Sequence, residues 1–305
     1  EHIRLNDIAF DCSDIMISPA LSHIDMNSLT LEQPGGITIA ESSGSISSDT
    51  ASLEISAFSL RSKSGSSLAI TGTIPWGAFS NGNQAVMEAE AKAILDKRDL
   101  GALLTQEQHD MLSPFGEKLF ATHMRLKGNS ARMDIDTITL SLPSFGIMGA
   151  KGYLKSINDR ESLSAAMDIN GHAHDIRRII ACASGDTLNT VNGDSIGAEL
   201  RGNVGYGSGI AQADIIIATA EGEIKAKGVY EIAQERYDAK LTADSINIAS
   251  IMPSVPIGCI SLAMEADGRG TDIFSDSTSY RIALKVDTIR YGDIAAGNIS
   301  INASQ

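Results

Sequence analysis

Aromatic side chains are scarce in this sequence, 5% of 305 residues with Trp76 the lone tryptophan. Glycan-binding grooves lean on aromatic rings as stacking platforms, so the scarcity argues against a carbohydrate surface. Cysteine is sparse as well. Cys12, Cys182 and Cys259 sit at unrelated spacings with no CxxC pair, which argues against a disulfide framework or a zinc site. Each reads as a small half-buried residue. Positive charge is in deficit: the net charge is −14, spread along the chain. That leaves no basic face for nucleic acid or for an anionic membrane surface, and the acidity reads as a solubility device. No apolar run reaches 18 residues and no signal-peptide pattern is present. Without a GxSxG, HExxH or Walker sequence, the chain offers no catalytic residue, cofactor or metal set, and it reads as a non-enzyme.

What the sequence has in quantity is alternation. In 237–252, YDAKLTADSINIASIM, apolar residues fall at every second position through Tyr237, Ala239, Leu241 and Ala243. This is the period of a strand with one apolar face. The alternation slips by one at Asp244-Ser245 and resumes at Ile246 and Ile248. Such a slip would swap the faces unless a bulge or bend absorbs the extra residue. The same cadence occurs as Ile24-Met26-Leu29-Leu31, Leu53-Ile55-Phe58-Leu60, Met133-Ile135-Ile138-Leu140 and Leu284-Val286-Ile289-Tyr291. A further copy, Met167-Ile169-His172-His174, carries histidines in its second half. A second cadence with glycine at its fifth position gives Leu68-Ile70-Gly72-Ile74, Met148-Ala150-Gly152-Leu154, Ala198-Leu200-Gly202-Val204 and Ile224-Ala226-Gly228-Tyr230. Irregular spacing between copies excludes a fixed-period solenoid.

Taken in order, residues 1–79 read as strands, and residues 80–117 as a helical insertion. The text NQAVMEAEAKAILDKRDLGALLTQEQHDML is rich in strong helix formers, and Thr105 with Gln108 forms a capping box. The insertion is expected to cover an edge or mouth of the sheet, or to act as a lid or docking element. Residues 118–305 return to strands, with a short helix expected over 177–183. Breaks are expected at 205–209, 221–222, 234–235, 253–256, 269–270 and 292–293. About 16 strands with short connections imply an antiparallel meander of roughly 75 Å at about 4.8 Å per strand. A sheet of that length is expected to coil, fold over or close.

Four stretches could carry chemistry. His172, His174 and Asp175 could chelate a metal, but no third ligand at useful spacing extends the pair, and histidines near a turn account for it. The glycines of 202–209, GNVGYGSG, are followed by strand-like sequence rather than a helix, so they read as a turn and not a phosphate loop. The segments 184–195 and 266–272 hold Asp and Asn as calcium loops do, without the EF-hand ligand spacing.

The segments YDAKLTADSINIASIMP, CISLAMEADGRGTDI and YRIALKVDTIRYGDIAAGNISINAS, with GEIKAKGVYEI and GIMGAKGYLKS before them, resemble the AsmA-like superfamily, and within it the TamB-type translocation and assembly module proteins. The resemblance rests on cadence and covers most of the chain outside residues 80–115. It implies a mainly β protein, a long antiparallel meander curled into an elongated, taco-like hydrophobic groove, forming one continuous domain cut from a longer chain. It also implies a periplasmic location, with an inner-membrane anchor in parts of the protein outside this segment. The function implied is conduction of phospholipid acyl chains between inner and outer membranes. A scaffold docking an outer-membrane barrel-assembly protein is the alternative, and an extracellular adhesin or glycan-binding β-solenoid a third.

On this reading the groove is lined by Leu53, Ile55, Leu68, Ile70, Met133 and Ile135 in the first half. Met148, Met167, Ile169, Leu200, Ile224 and Leu241 continue the lining, followed by Ala243, Leu262, Met264, Leu284 and Val286. Ile299 and Ile301 mark the edge for a protein partner.

Overall fold

The computed structural model describes residues 6–18, 20–32, 37–80, 84–100, 105, 118–184, 195–252, 255–270 and 278–305. Strand dominates at 73%. The chain divides into two compact units, Glu1–Asn158 and Asp159–Gln305.

Among the described residues of the first unit nine strands follow one another: β1 Asn6–Ile17, β2 Leu21–Glu32, β3 Thr38–Asp49, β4 Ser52–Ser62 and β5 Ser67–Pro75, then β6 Met87–Asp96, β7 Lys118–Gly128, β8 Arg132–Leu142 and β9 Gly146–Lys155. A 3-10 turn, Trp76–Phe79, follows β5, and the one-turn helix α1, Lys97–Leu100, follows β6. The second unit opens with β10 Ser164–Ala173 and helix α2 Ile176–Ser184. It continues through β11 Ala198–Gly207, β12 Ile210–Thr219, β13 Gly222–Glu231, β14 Arg236–Asn247 and helix α3 Ile248–Ile251. Three strands close it: β15 Ile257–Arg269, β16 Ser279–Tyr291 and β17 Ile294–Ser304. Within each unit every strand pairs antiparallel with the next, and the meander is not closed. The expected mainly-β meander and the helix near 177–183 are therefore present.

The helical insertion is not what forms at residues 87–96. That stretch is the strand β6, and among the described residues of the expected insertion Lys97–Leu100 is what turns helical. Composition misleads here because Ala and Glu favour helices, whereas the order MEAEAKA alternates apolar and charged residues with a strand's period. Pairing settles the choice: Glu88 lies opposite Lys127 and Glu90 opposite Arg125, so each carboxylate meets a cation across the ladder. The proposed capping box at Thr105 and Gln108 lies largely outside the described residues.

The slips in the cadence are bulges. Register shifts fall between Ile55 and Phe58 in β4, between Ile135 and Ile138 in β8, and between Ala243 and Ile246 in β14. Others separate Met26 from Ser28 in β2 and Val286 from Thr288 in β16. At two of these bulges, Ala57 and Ser245 take left-handed φ values of 53° and 55°. The glycine cadence answers the bulges: Gly72 lies opposite Ile55 and Gly152 opposite Ile135, each beside the bulged residues of its neighbour. A Cβ on Gly72 would come within 2.7 Å of the Glu88 carbonyl oxygen on β6.

Two expectations fail locally. Strand β10 pairs with β11 in unbroken register, so its copy of the cadence has no bulge. The glycine stretch 202–209 is mostly strand, since β11 runs to Gly207 and only Ser208-Gly209 turns. Gly202 is needed for close approach instead, because a Cβ there would lie 2.2 Å from the Asp214 carbonyl oxygen.

Two clusters of buried apolar residues lie at strand ends. In the first unit Ala78 of the 3-10 turn packs on Met87 and Met133. In the second, Ile196, Ile246 and Ile251 join Ile176 and Ile180 of α2, so both α2 and α3 sit over the same end of the sheet. Among the described residues 12 apolar side chains are buried.

Candidate functional site

Residues directly opposite one another in an antiparallel ladder project from the same face of the sheet. Following the partners from strand to strand therefore shows which side chains line up. In the first unit one row runs Ile15–Ile24–Ile46–Ile55–Gly72–Ala89–Leu126–Ile135–Gly152, crossing all nine strands without a polar residue. Beside it runs Phe58–Ile70–Ala91–Met124–Ile138–Ala150, and then Leu60–Leu68–Ala93–Thr122–Leu140–Met148. Leu53 and Met133 lie on this face too, opposite Ile74 and Leu154.

The second unit repeats the arrangement with better order. One row is Ile169–Gly202–Ile215–Ala226–Leu241–Met264–Leu284–Ile301, and the next is Gly171–Leu200–Ile217–Ile224–Ala243–Leu262–Val286–Ile299. A third, Met167–Val204–Ala213–Gly228–Ala239–Ala266–Ile282–Ala303, also contains no polar residue. Within each unit, all the lining residues named from sequence stand on one face. Ile299 and Ile301 do so as well, at the exposed strand β17. The bulges make this possible. Were the extra residue at 244–245 not absorbed in the bulge, Ile246 would face opposite to Leu241 and Ala243.

Most of these side chains are half-buried. Val286 and Ile135 are buried, whereas Met148 is exposed.

The opposite face is polar and held by cross-strand charge. In the second unit Lys240 reaches Glu265 at 2.9 Å and Arg281 reaches Asp267 at 3.0 Å across neighbouring strands, while Lys225 reaches Glu223 along β13 at 2.7 Å. In the first, Glu90 is the hub, with Lys92 at 2.8 Å, Arg125 at 2.8 Å and His123 at 2.9 Å. Hydrogen bonds from Lys92, Arg125 and His123 lower the Glu90 carboxyl to about 2. A cleft of about 740 Å³ crosses this face from β2 to β8, lined by Ser43, Ser59, Ala69, Lys92, His123 and Thr139 among others. Small side chains at Ser43, Ser59 and Ala69 leave the room.

His172 departs from the cadence because β10 lacks a bulge. It lies opposite Glu199, on the face away from Ile169, and both His172 and His174 are exposed, their rings edge to face at 5.6 Å. Asp175 does not join them. Arg177 donates to it through Nε at 2.9 Å and through its terminal nitrogen at 2.8 Å, and the Ile196 N–H donates at 3.3 Å. Burial opposes the charge on Asp175, yet these donors outweigh it and hold the carboxyl below its ordinary value. The same clasp recurs in the first unit, where Arg98 Nε donates to Asp96 at 2.9 Å and the Arg98 N–H at 3.0 Å. Sequence reasoning missed both. The signal was available as Asp-x-Arg at a strand-to-helix corner, Asp96-Lys97-Arg98 and Asp175-Ile176-Arg177, where the Asp side chain accepts the free N–H groups that open a helix. Of the cysteines, Cys12 is half-buried and Cys259 exposed, so Cys259 departs from the expected half-burial.

Among the described residues no group of three or more His, Cys, Asp or Glu could hold a metal ion, and no helix is long and apolar enough to cross a membrane. Comparison with known proteins adds no neighbour. No family model, curated protein or solved structure matches this chain. The apolar rows are therefore the feature from which a function is argued.

Proposed function

We propose that this chain is a periplasmic segment of an AsmA-like, TamB-type bridge protein that conducts phospholipids between the inner and outer membranes, with acyl chains running along the apolar face. The observation that carries the reading is the uninterrupted row across every strand of a unit, Ile169 through Ile301 in the second. Half-covered aliphatic surface costs about 25 cal/mol per Å² left in water, a penalty that an acyl chain relieves. Each buried CH₂ contributes about 0.8 kcal/mol. Because the row offers similar side chains at each strand, a chain moving along it exchanges one set of contacts for an equivalent set, and no step need be steep. The reading assigns no catalytic residue.

Its test is to purify the full chain and identify bound lipid by mass spectrometry, then to measure phospholipid transfer between vesicles. Leu241→Glu and Leu262→Glu place carboxylates in adjacent rows and are expected to abolish bound phospholipid and transfer while the protein still folds. Transfer at the unaltered rate in both variants would end the proposal.

A second reading has an observation of its own. Strand β17, IAAGNISINAS, carries no charged residue and is exposed along its whole length, with Ile294 69% and Ile301 52% accessible. Exposed edge strands ordinarily carry charge or proline that discourages pairing. Its composition suits docking to an outer-membrane barrel-assembly partner by strand addition. Photo-crosslinks from Ile299 and Ile301 to such a partner would support the scaffold role, and crosslinks to lipid alone would not.

A further inference from the structure

We propose that one rim of the first unit docks on a zwitterionic lipid surface, with Trp76 and Phe79 as its anchor. The 3-10 turn WGAF leaves β5 and is fixed from beneath: Ala78 is fully buried against Met87 and Met133. In a 3-10 helix, residues three apart lie above one another, so Trp76 and Phe79 stand on one side of the turn while Ala78 takes the other. They are 49% and 47% exposed, although each is among the largest apolar groups in the chain. The turn is firmly held. The Trp76 N–H donates to the Ala51 carbonyl at 2.9 Å, its indole Nε1 donates to the Asp49 carbonyl at 2.8 Å, and the Ser130 N–H donates to the Ala78 carbonyl at 2.8 Å. The Asn158 amide donates to the Phe79 carbonyl.

The antiparallel register places more apolar groups on the same rim. Ile17 at the end of β1 and Leu21 at the start of β2 stand at the strand ends where β5 also finishes, and Ile17 is 80% exposed. Val86, just before β6, is exposed there too. Five large apolar side chains at the β1–β2 and β5–β6 connections, with the polar β3–β4 turn between them, are too few for a stable protein interface, which takes about 20–30 residues a side. An indole whose N–H is satisfied and whose ring faces outward is the group that settles at a bilayer's headgroup level. The choice of lipid over other occupants rests in part on the conduit reading, since a conduit must meet a bilayer somewhere. Net charge −14 and a rim whose Arg132 and Lys127 are already paired with Asp134 and Glu88 argue for a zwitterionic surface and against an anionic one.

Trp76 is the chain's single tryptophan, so its emission reports on this rim alone. Titrating the full chain with phosphatidylcholine vesicles is expected to shift that emission to the blue. Brominated acyl chains should quench it, and salt should have little influence. Phe79→Ser is expected to weaken partitioning about ten-fold, with Ile17→Ser weakening it less. Thermal melting of each variant confirms that it folds. Unchanged emission with vesicles would overturn the proposal. So would a blue shift that depends on protein concentration without lipid, which would mark a second copy as the occupant. Binding confined to anionic vesicles and lost in salt would overturn it equally. Leu241→Glu separates the two readings. If it leaves lipid transfer intact while the vesicle-induced shift persists, the conduit fails and the rim stands. If it blocks transfer and the unaltered chain shows no shift, the rim alone is lost.

Discussion

The residues that matter most are those that tolerate an unfavourable state so that others can line up. Ala57 holds φ at 53°, a conformation that costs an L-residue roughly 1 kcal/mol and a β-branched residue more. Its reward is that Phe58 and Leu60 stay on the same face as Leu53 and Ile55. Ala57→Val is therefore expected to lower stability by about 1–2 kcal/mol, whereas Ala57→Gly should cost nothing measurable, both read by urea unfolding. Glu90 poses the electrostatic counterpart. Its carboxyl lies at about 2 against an ordinary 4.5, because Lys92, Arg125 and His123 bond to the charged form. A depressed acid contributes stability that is complete above its ordinary value and disappears as pH falls through the folded one. Melting temperature should thus decline between pH 4.5 and 2, and Glu90→Gln should flatten that part of the profile. An equally steep decline in the variant would assign it to other carboxylates.

At the scale of the element, β6 shows what propensity cannot decide. Residues 87–96 have the composition of a helix and the order of a strand, and the order prevailed because two neighbours were available to pair with it. The ladder makes a specific demand, since Glu88 and Lys127 lie 39 residues apart yet face each other at 3.1 Å. Exchanging the charges one at a time should destabilise, and exchanging both should restore, with a coupling of roughly 0.2–1 kcal/mol. A detached helix would show no coupling. Strand β10 teaches the converse. Its copy of the cadence resembles the others in spacing, but the neighbour β11 accepts it in straight register, and the histidines leave the apolar face. A bulge depends on the strands at its sides as much as on its own residues.

For the whole molecule the decisive quantity is alignment among strands. Each unit carries its own rows, and the proposed route uses both. Ile55→Glu in the first unit and Leu241→Glu in the second should each suffice to stop phospholipid transfer, with no additive effect in the double variant. Transfer blocked by one and indifferent to the other would confine the route to a single unit. The sequence by itself determined that the protein is β-rich and meandering, and which side chains share a face within a strand, because a period of two is written locally and a one-residue slip is visible in it. Only the tertiary structure decided that Met87–Asp96 is a strand, that β10 runs straight, and that the rows of successive strands meet end to end. Those outcomes rest on register between chain segments, and register is a property of pairs that no single stretch contains.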